Sequence, residues 1–162
     1  MSPVNVAILW IHLLSAIIFV GGSFFIWLIV VPVSRVLAKD ERERTDLVAK
    51  IAKRFGQLVN PTLGILLLTG VYNATWYLPS FGSLFTTFLG QILLLKVALV
   101  AVLVFLVYFN NIVYARRIVK DAREGRMQDL QEVRKISRLI SFTNLALMIT
   151  IVLLSVVLRA PP

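Results

Sequence analysis

The chain has 162 residues, of which 59% are hydrophobic, with a mean hydropathy of +0.87. This is the composition of a membrane protein, because soluble domains are about 45–50% apolar. The formal net charge is +9 and there is no cysteine, which excludes disulfides, thiolate metal sites and cysteine nucleophiles. The basic residues flank apolar segments, as topology determinants do, so we predict no nucleic-acid partner.

Four apolar segments are long enough to cross a bilayer, at residues 4–33, 58–78, 85–114 and 136–158. A crossing takes about 20 apolar residues, and each span must satisfy its own backbone hydrogen bonds. We therefore predict an all-α integral membrane four-helix bundle that forms one domain over residues 1–162. The first segment lacks a basic region and a small-residue cleavage site, so we expect it to be retained as a span.

Two segments between the predicted spans, 34–57 and 115–135, hold most of the 17 basic residues and all 8 acidic residues. The positive-inside rule places both segments in the cytoplasm of a plasma-membrane protein and both termini outside. Their many helix formers predict helical cytoplasmic extensions. Such charged faces are usually solvated, and the alternatives are a cytoplasmic partner or anionic lipid headgroups.

The only histidine, His12, and one lysine, Lys96, lie inside predicted spans. At 1.5 Å per residue, His12 is about 12 Å along a helix from Val4, and Lys96 is about 16 Å from Phe85. Both spans run inward, so the two residues lie at similar depths towards the outer side. Polar residues of the second and fourth spans reach comparable depths and predict a polar cluster there: Thr69, Tyr72, Asn73, Thr150 and Ser155.

The roles of His12 and Lys96 stay open between a structural and a functional interpretation. Small residues share the helix face of His12, which favours a direction into the bundle. His12 is then a hydrogen-bonded core residue, a ligand of copper or haem iron, or a proton-transfer group. A charge in lipid is costly, which directs Lys96 to the bundle interior unless it extends to the outer headgroups.

A second polar layer lies nearer the cytoplasm and has a structural interpretation, because asparagines in spans hydrogen-bond across helices. Its members are Asn60, Asn110, Asn111 and Asn144.

The side chains available as metal ligands limit the metal chemistry. Cu(I) prefers Cys, Met and His, and the chain offers one histidine and three methionines. A haem with two histidine ligands is excluded within one chain, and a single axial ligand is not.

Several short motifs resemble the copper resistance protein D (CopD) superfamily. His12 is followed by the segment 19–24 (FVGGSF) and Pro32, and the second span combines Arg54, Pro61 and the segment 66–72 (LLLTGVY). The segment 90–100 (GQILLLKVALV) resembles the family's lysine-bearing span. The resemblance implies an inner-membrane helical protein linked to copper uptake or resistance.

The related HemJ-type four-span proteins are associated with haem or porphyrin chemistry through a first-span histidine and a third-span lysine. His12 and Lys96 match those positions, and Arg54 matches a further basic position of functional interest. The leading hypothesis is a copper-handling protein with His12 as ligand. The alternatives are a haem-binding or protoporphyrinogen-oxidase-like protein and a non-catalytic subunit of a larger membrane complex.

Some properties stay open at this stage. The cofactor is undecided between copper and haem b, no catalytic residue is assigned, and enzymatic activity is neither predicted nor excluded. The bilayer is the one partner that the sequence requires, with a homo-oligomer or a larger membrane complex as further alternatives.

Overall fold

A computed structural model describes residues 2–77, 80 and 82–158. It is 93% helical, and no strand occurs in the described residues. Four long helices dominate the fold: α1 (Pro3–Leu37), α2 (Glu41–Ala74), α3 (Phe88–Glu124) and α4 (Met127–Val157). Each is long and apolar enough to cross a membrane, which confirms the predicted all-α fold and its four membrane-length helices.

The helices extend beyond the predicted spans into the charged segments. α2 begins at Glu41, inside segment 34–57, and α3 continues to Glu124, inside segment 115–135. The start of α2 is capped in both directions: Asp40 Oδ1 accepts from the Glu43 backbone N–H at 2.7 Å, and Glu43 Oε2 accepts from that of Lys39 at 2.8 Å. Reciprocal capping of this kind satisfies donors that a helix start leaves unpaired.

The connection between α2 and α3 differs in detail from the predicted spans. A 3₁₀ turn, Thr75–Tyr77, follows α2, and residue 78 of the predicted second span lies outside the described residues. The predicted third span begins at residue 85, whereas a one-turn helix, Ser83–Thr86, ends before an extended Thr87 that caps α3. Gly90 permits this turn, because a Cβ there would lie 2.1 Å from the Ser83 carbonyl oxygen.

The helices pack as two hairpins, α1 against α2 and α3 against α4, joined by contacts between α1 and α4 and between α2 and α3. A small apolar core draws on all four helices and contains Phe19, Val59, Leu63, Leu103, Leu145 and Met148. Gly22 makes room for Phe55 where α1 packs against α2, because a Cβ there would lie 2.2 Å from the Phe55 ring. This core lies between two polar ends of the bundle.

We call the helix ends that carry segments 34–57 and 115–135 the charged end. Arg134 of α4 donates there to the Glu41 carboxylate, and its other terminal nitrogen donates to Thr45 Oγ1 at 2.6 Å. Arg123 of α3 lies 3.2 Å from Asp46 of α2. These contacts fasten both helices of the second hairpin to the start of α2.

The pKa of Glu41 at the charged end is set by the groups around it. Glu41 lies in segment 34–57, outside the predicted span. Desolvation raises the pKa of Glu41, but the hydrogen bonds and charges of Arg134 and Arg44 outweigh it and leave the pKa below its ordinary value.

The α3–α4 turn uses Gly125 in the left-handed conformation, with φ of 70°.

Candidate functional site

A cavity of about 780 Å³ lies between the four helices at the end opposite the charged end. His12 of α1 and Lys96 of α3 both line it, so the structure brings these two predicted residues to one site. Most of the described wall is apolar, and its polar members besides His12 and Lys96 are Asn73 and Ser155. An apolar cavity of several hundred Å³ with a few polar groups is the usual form of a small-molecule site.

The orientation of the His12 ring is fixed by Thr69 of α2. His12 Nδ1 lies 2.9 Å from Thr69 Oγ1, which is itself 2.7 Å from the backbone carbonyl oxygen of Ile65. Because the one hydroxyl proton of Thr69 is donated to a carbonyl, Thr69 Oγ1 accepts the proton of Nδ1–H. The neutral imidazole is then the Nδ1–H tautomer, and its lone pair lies on Nε2.

Gly70 makes room for the ring. A Cβ at this position would lie 3.2 Å from His12 Cε1 and 3.8 Å from Nδ1. A side chain there would press on the imidazole, so the Thr69–Gly70 pair supplies both the hydrogen bond and the space that position His12. The adjacency of these two residues in sequence explains how a single turn of α2 does both.

Lys96 enters the cavity wall from α3, one helical turn beyond the buried Leu93, which also lines the cavity. Its side chain is half-buried. The amine of Lys96 thus lies in a largely apolar wall that also contains the imidazole of His12. Such a wall suits a ligand with an apolar body and one polar or anionic group.

Asn73, a member of the predicted polar cluster, holds a buried hydrogen-bond acceptor. It is 8% exposed, and no hydrogen-bond donor within the described part of the chain reaches its Oδ1 atom. Buried acceptors without a donor are rare in folded proteins, which makes this atom a contact point for a ligand or water. Its spacing of four residues from Thr69, on the same helix face, is the signal that could have singled it out.

Two other predicted site residues lie away from the cavity. Tyr72 is exposed, and its hydroxyl donates to Asn5 Oδ1 at 2.9 Å, which joins α2 and α1 at the end of the bundle opposite the charged end. Arg54 is also exposed and lies about 24 Å along α2 from Gly70. The structure therefore does not bring Arg54 to the site of His12 and Lys96.

The asparagine layer has mixed environments. Asn60 Oδ1 accepts from the Tyr108 hydroxyl at 3.4 Å, and Asn110 Nδ2 donates to Ser141 Oγ at 3.5 Å, both long bonds between helices. Asn111 is exposed. Asn144 is buried, and its Oδ1 has no donor among the described residues.

The donor set of the cavity limits how a metal could be held. The described residues contain no group of three or more His, Cys, Asp or Glu side chains that could together hold a metal ion. Met148 belongs to the apolar core and does not line the cavity. Within the described wall, His12 is thus the one side chain of the types that Cu(I) prefers, which does not fit a closed, tightly held copper centre.

Two features of the cavity are compatible with a ligand larger than a metal ion. Its wall is mostly apolar and its volume is that of a small-molecule site. The Nε2 lone pair of His12, with Nδ1–H bonded to Thr69, is the arrangement of a single axial histidine ligand whose orientation is fixed by its second nitrogen.

Comparison with known proteins gives one match. A family model described as copper resistance protein D matches residues 49–158, about two thirds of the chain. No curated protein and no solved structure matches the chain with significance. The matched region contains Thr69, Asn73 and Lys96, whereas His12 precedes it.

Proposed function

The chain belongs to the copper resistance protein D family, and from that premise we propose that it handles copper in the plasma membrane. The observation that carries this proposal is the position of His12, which lines the cavity with Nδ1 bonded to Thr69 at 2.9 Å. In this tautomer Nε2 is the nitrogen that contacts copper. The copper ion is the cargo of the protein rather than a resident cofactor.

A single histidine contact suits transit better than storage. A transport site has to bind its ion strongly enough to admit it and weakly enough to release it. Because the described wall supplies one preferred Cu(I) ligand, the remaining coordination positions belong to water or to the molecule that delivers the ion.

The direction of the protein in the membrane is part of the same proposal. Basic residues concentrate in segments 34–57 and 115–135, which supports a cytoplasmic charged end. The cavity then lies beneath the outer surface, where it can receive copper from outside the cell. Cysteine substitutions at Ser2 and at Gly125, labelled with a membrane-impermeant reagent in intact cells, test this: only the Ser2 variant is expected to react.

Copper accumulation in cells tests the function. Cells that produce the wild-type chain are expected to change their copper content relative to empty-vector cells, and His12→Ala is expected to abolish that change. Thr150→Val is the matched control, because Thr150 donates only to its own helix and does not line the cavity. Equal copper content in wild-type and His12→Ala cells, at equal protein levels, would overturn the proposal.

Haem or porphyrin binding is the second candidate, and the size and apolar wall of the cavity favour it. His12 would hold the iron through Nε2, and Lys96 would pair with a propionate; haem would supply redox chemistry to the site. Purification from haem-replete cells is expected to give a Soret band that His12→Ala loses. A colourless wild-type protein under those conditions would exclude this candidate.

A further inference from the structure

Within the described part of the chain, the cavity opens between α1 and α4. The exposed residues of its described wall all belong to these two helices, and they include Ile17 at 66% and Val156 at 62% exposure. Wall residues on α2 and α3 are buried or half-buried, as Asn73 and Lys96 show. These residues place an opening at the side of the bundle, between α1 and α4.

Contacts between α1 and α4 explain why the opening is confined to this level. Nearer the charged end the two helices meet through Phe19 and Met148 in the core and through Trp27 and Phe142, whose ring centroids are 6.1 Å apart. Beyond Phe19, towards the N-terminus of α1, the side chains between α1 and α4 are Leu13, Ile17 and the α4 residues that line the cavity. We call the boundary between α1 and α4 the seam. In a bilayer this part of the seam borders lipid chains.

The position of the opening selects what can enter. An aqueous ion approaching from the side would have to cross the apolar phase, whereas an organic molecule dissolved in the bilayer reaches the opening directly. The wall beside the opening is apolar, with exposed aliphatic side chains on both helices. This side route thus fits a membrane-soluble molecule.

Asn73 adds a requirement for a polar group on that molecule. Its Oδ1 atom is buried in the wall and has no donor from the described residues. Leaving a buried acceptor without a donor is unfavourable, so a ligand that presents an O–H group at this point gains a hydrogen bond that no described residue supplies.

We propose that the cavity binds a membrane-soluble organic molecule carrying a hydroxyl donor, that this molecule enters between α1 and α4, and that its hydroxyl donates to Asn73 Oδ1. The proposal goes beyond copper handling and does not depend on it. Two sources have this chemistry: a hydroquinone dissolved in the membrane and a hydroxyl-bearing lipid such as diacylglycerol.

A matched pair of ligands tests the hydrogen bond. Binding of decylhydroquinone and of its dimethyl ether, which lacks the donors, is measured on the full chain in phosphatidylcholine nanodiscs. The wild type is expected to bind the hydroquinone about tenfold more tightly than the ether, and Asn73→Leu is expected to remove that difference. Equal affinities of the two ligands for the wild type would overturn the assignment to a hydroquinone even if the variant does not fold.

Dioleoylglycerol and its methyl ether form the second arm and distinguish the sources. Preference for the hydroxyl form in this pair alone assigns the site to a lipid, and preference in the hydroquinone pair alone assigns it to a quinol. No preference in either pair contradicts the proposal.

The entry route has its own test. Ile17→Trp and Val156→Trp fill the opening and are expected to slow association of the bound ligand several-fold. Leu14→Trp and Leu153→Trp are the controls, because both residues are exposed on the same helices and neither lines the cavity. Equal rates in all four variants would exclude this route, and a changed oligomeric state with an unchanged rate would assign the seam to a second copy of the chain.

Discussion

His12 Nδ1 lies 2.9 Å from Thr69 Oγ1, and the Thr69 hydroxyl is committed to the Ile65 carbonyl oxygen at 2.7 Å. The chain of hydrogen bonds runs from the imidazole through the hydroxyl to the backbone of α2, so the helix itself sets the tautomer of His12. A histidine that binds a metal through one nitrogen is commonly oriented in this way through the other.

The first prediction concerns this hydrogen bond. Thr69→Val keeps the shape of the side chain and removes the hydroxyl, so the His12 ring loses its anchor and Cu(I) affinity is expected to fall about 10–100-fold. Competition with a Cu(I) chelator, using the purified protein, measures the change. Thr69→Ser restores the hydroxyl and is expected to recover most of the affinity; if it stays as weak as Thr69→Val, the hydrogen bond is not the cause.

The second prediction uses the space beside the ring. Gly70→Ala introduces a methyl group 3.2 Å from His12 Cε1, so the imidazole has to shift and Cu(I) affinity is expected to fall. Gly64→Ala is the control in the same helix, because no atom lies within 4 Å of the added methyl group. The same chelator competition compares the two, and an equal effect of both variants would contradict a positioning role for Gly70.

A third prediction concerns the close approach of α1 and α2. Gly22→Ala places a methyl group 2.2 Å from the Phe55 ring, and overpacking of this kind is expected to cost about 1–3 kcal/mol of unfolding free energy. Gly21→Ala is expected to be neutral or stabilising, because nothing lies within 4 Å of its added methyl group. Thermal unfolding of the two neighbouring variants in one detergent measures the difference, and equal stability would exclude this close packing.

The four helices could be predicted because their cause is local. Long apolar segments need internal backbone hydrogen bonds in lipid, and the sequence shows them directly. The helical character of the charged segments was predicted from helix-forming residues. The break at Thr87 was not, because it depends on the Ser83–Thr86 turn folding back onto Gly90, a contact that no periodicity shows.

The site could be predicted only in part for a related reason. Helix rise placed His12 and Lys96 at similar depth, but rotation about the helix axis decides whether two side chains meet, and Lys96 has apolar neighbours on every face. Asn73 was predicted as a cluster member but not as a contact point, because that role comes from burial without a donor, which depends on four helices at once. Arg54 matches a family motif in sequence, yet its distance along α2 separates it from the cavity.

The fourth prediction concerns the charged end. Arg134 bridges α4 to Glu41 and Thr45, so Arg134→Ala is expected to destabilise the fold more than Lys135→Ala, whose side chain is exposed. A double-mutant cycle with Glu41→Gln is expected to give a coupling of about 1 kcal/mol, as for partly exposed ion pairs. Zero coupling would show that the pair does not stabilise the fold.

The same ion pair predicts a pH dependence. The pKa of Glu41 is lower in the folded chain than its ordinary value. Its stabilising contribution is therefore complete above the ordinary pKa and is lost as pH falls through the lowered folded value. The difference in unfolding free energy between wild type and Glu41→Gln is expected to shrink over that acidic range and to stay constant near neutral pH.

The most direct test of the central claim is X-ray absorption on the purified protein equilibrated with one equivalent of Cu(I), with His12→Ala treated in parallel. We expect imidazole scattering in the wild-type spectrum and its loss in His12→Ala. A wild-type spectrum without imidazole, or identical spectra for the two proteins, would contradict the assignment of His12 as the copper contact.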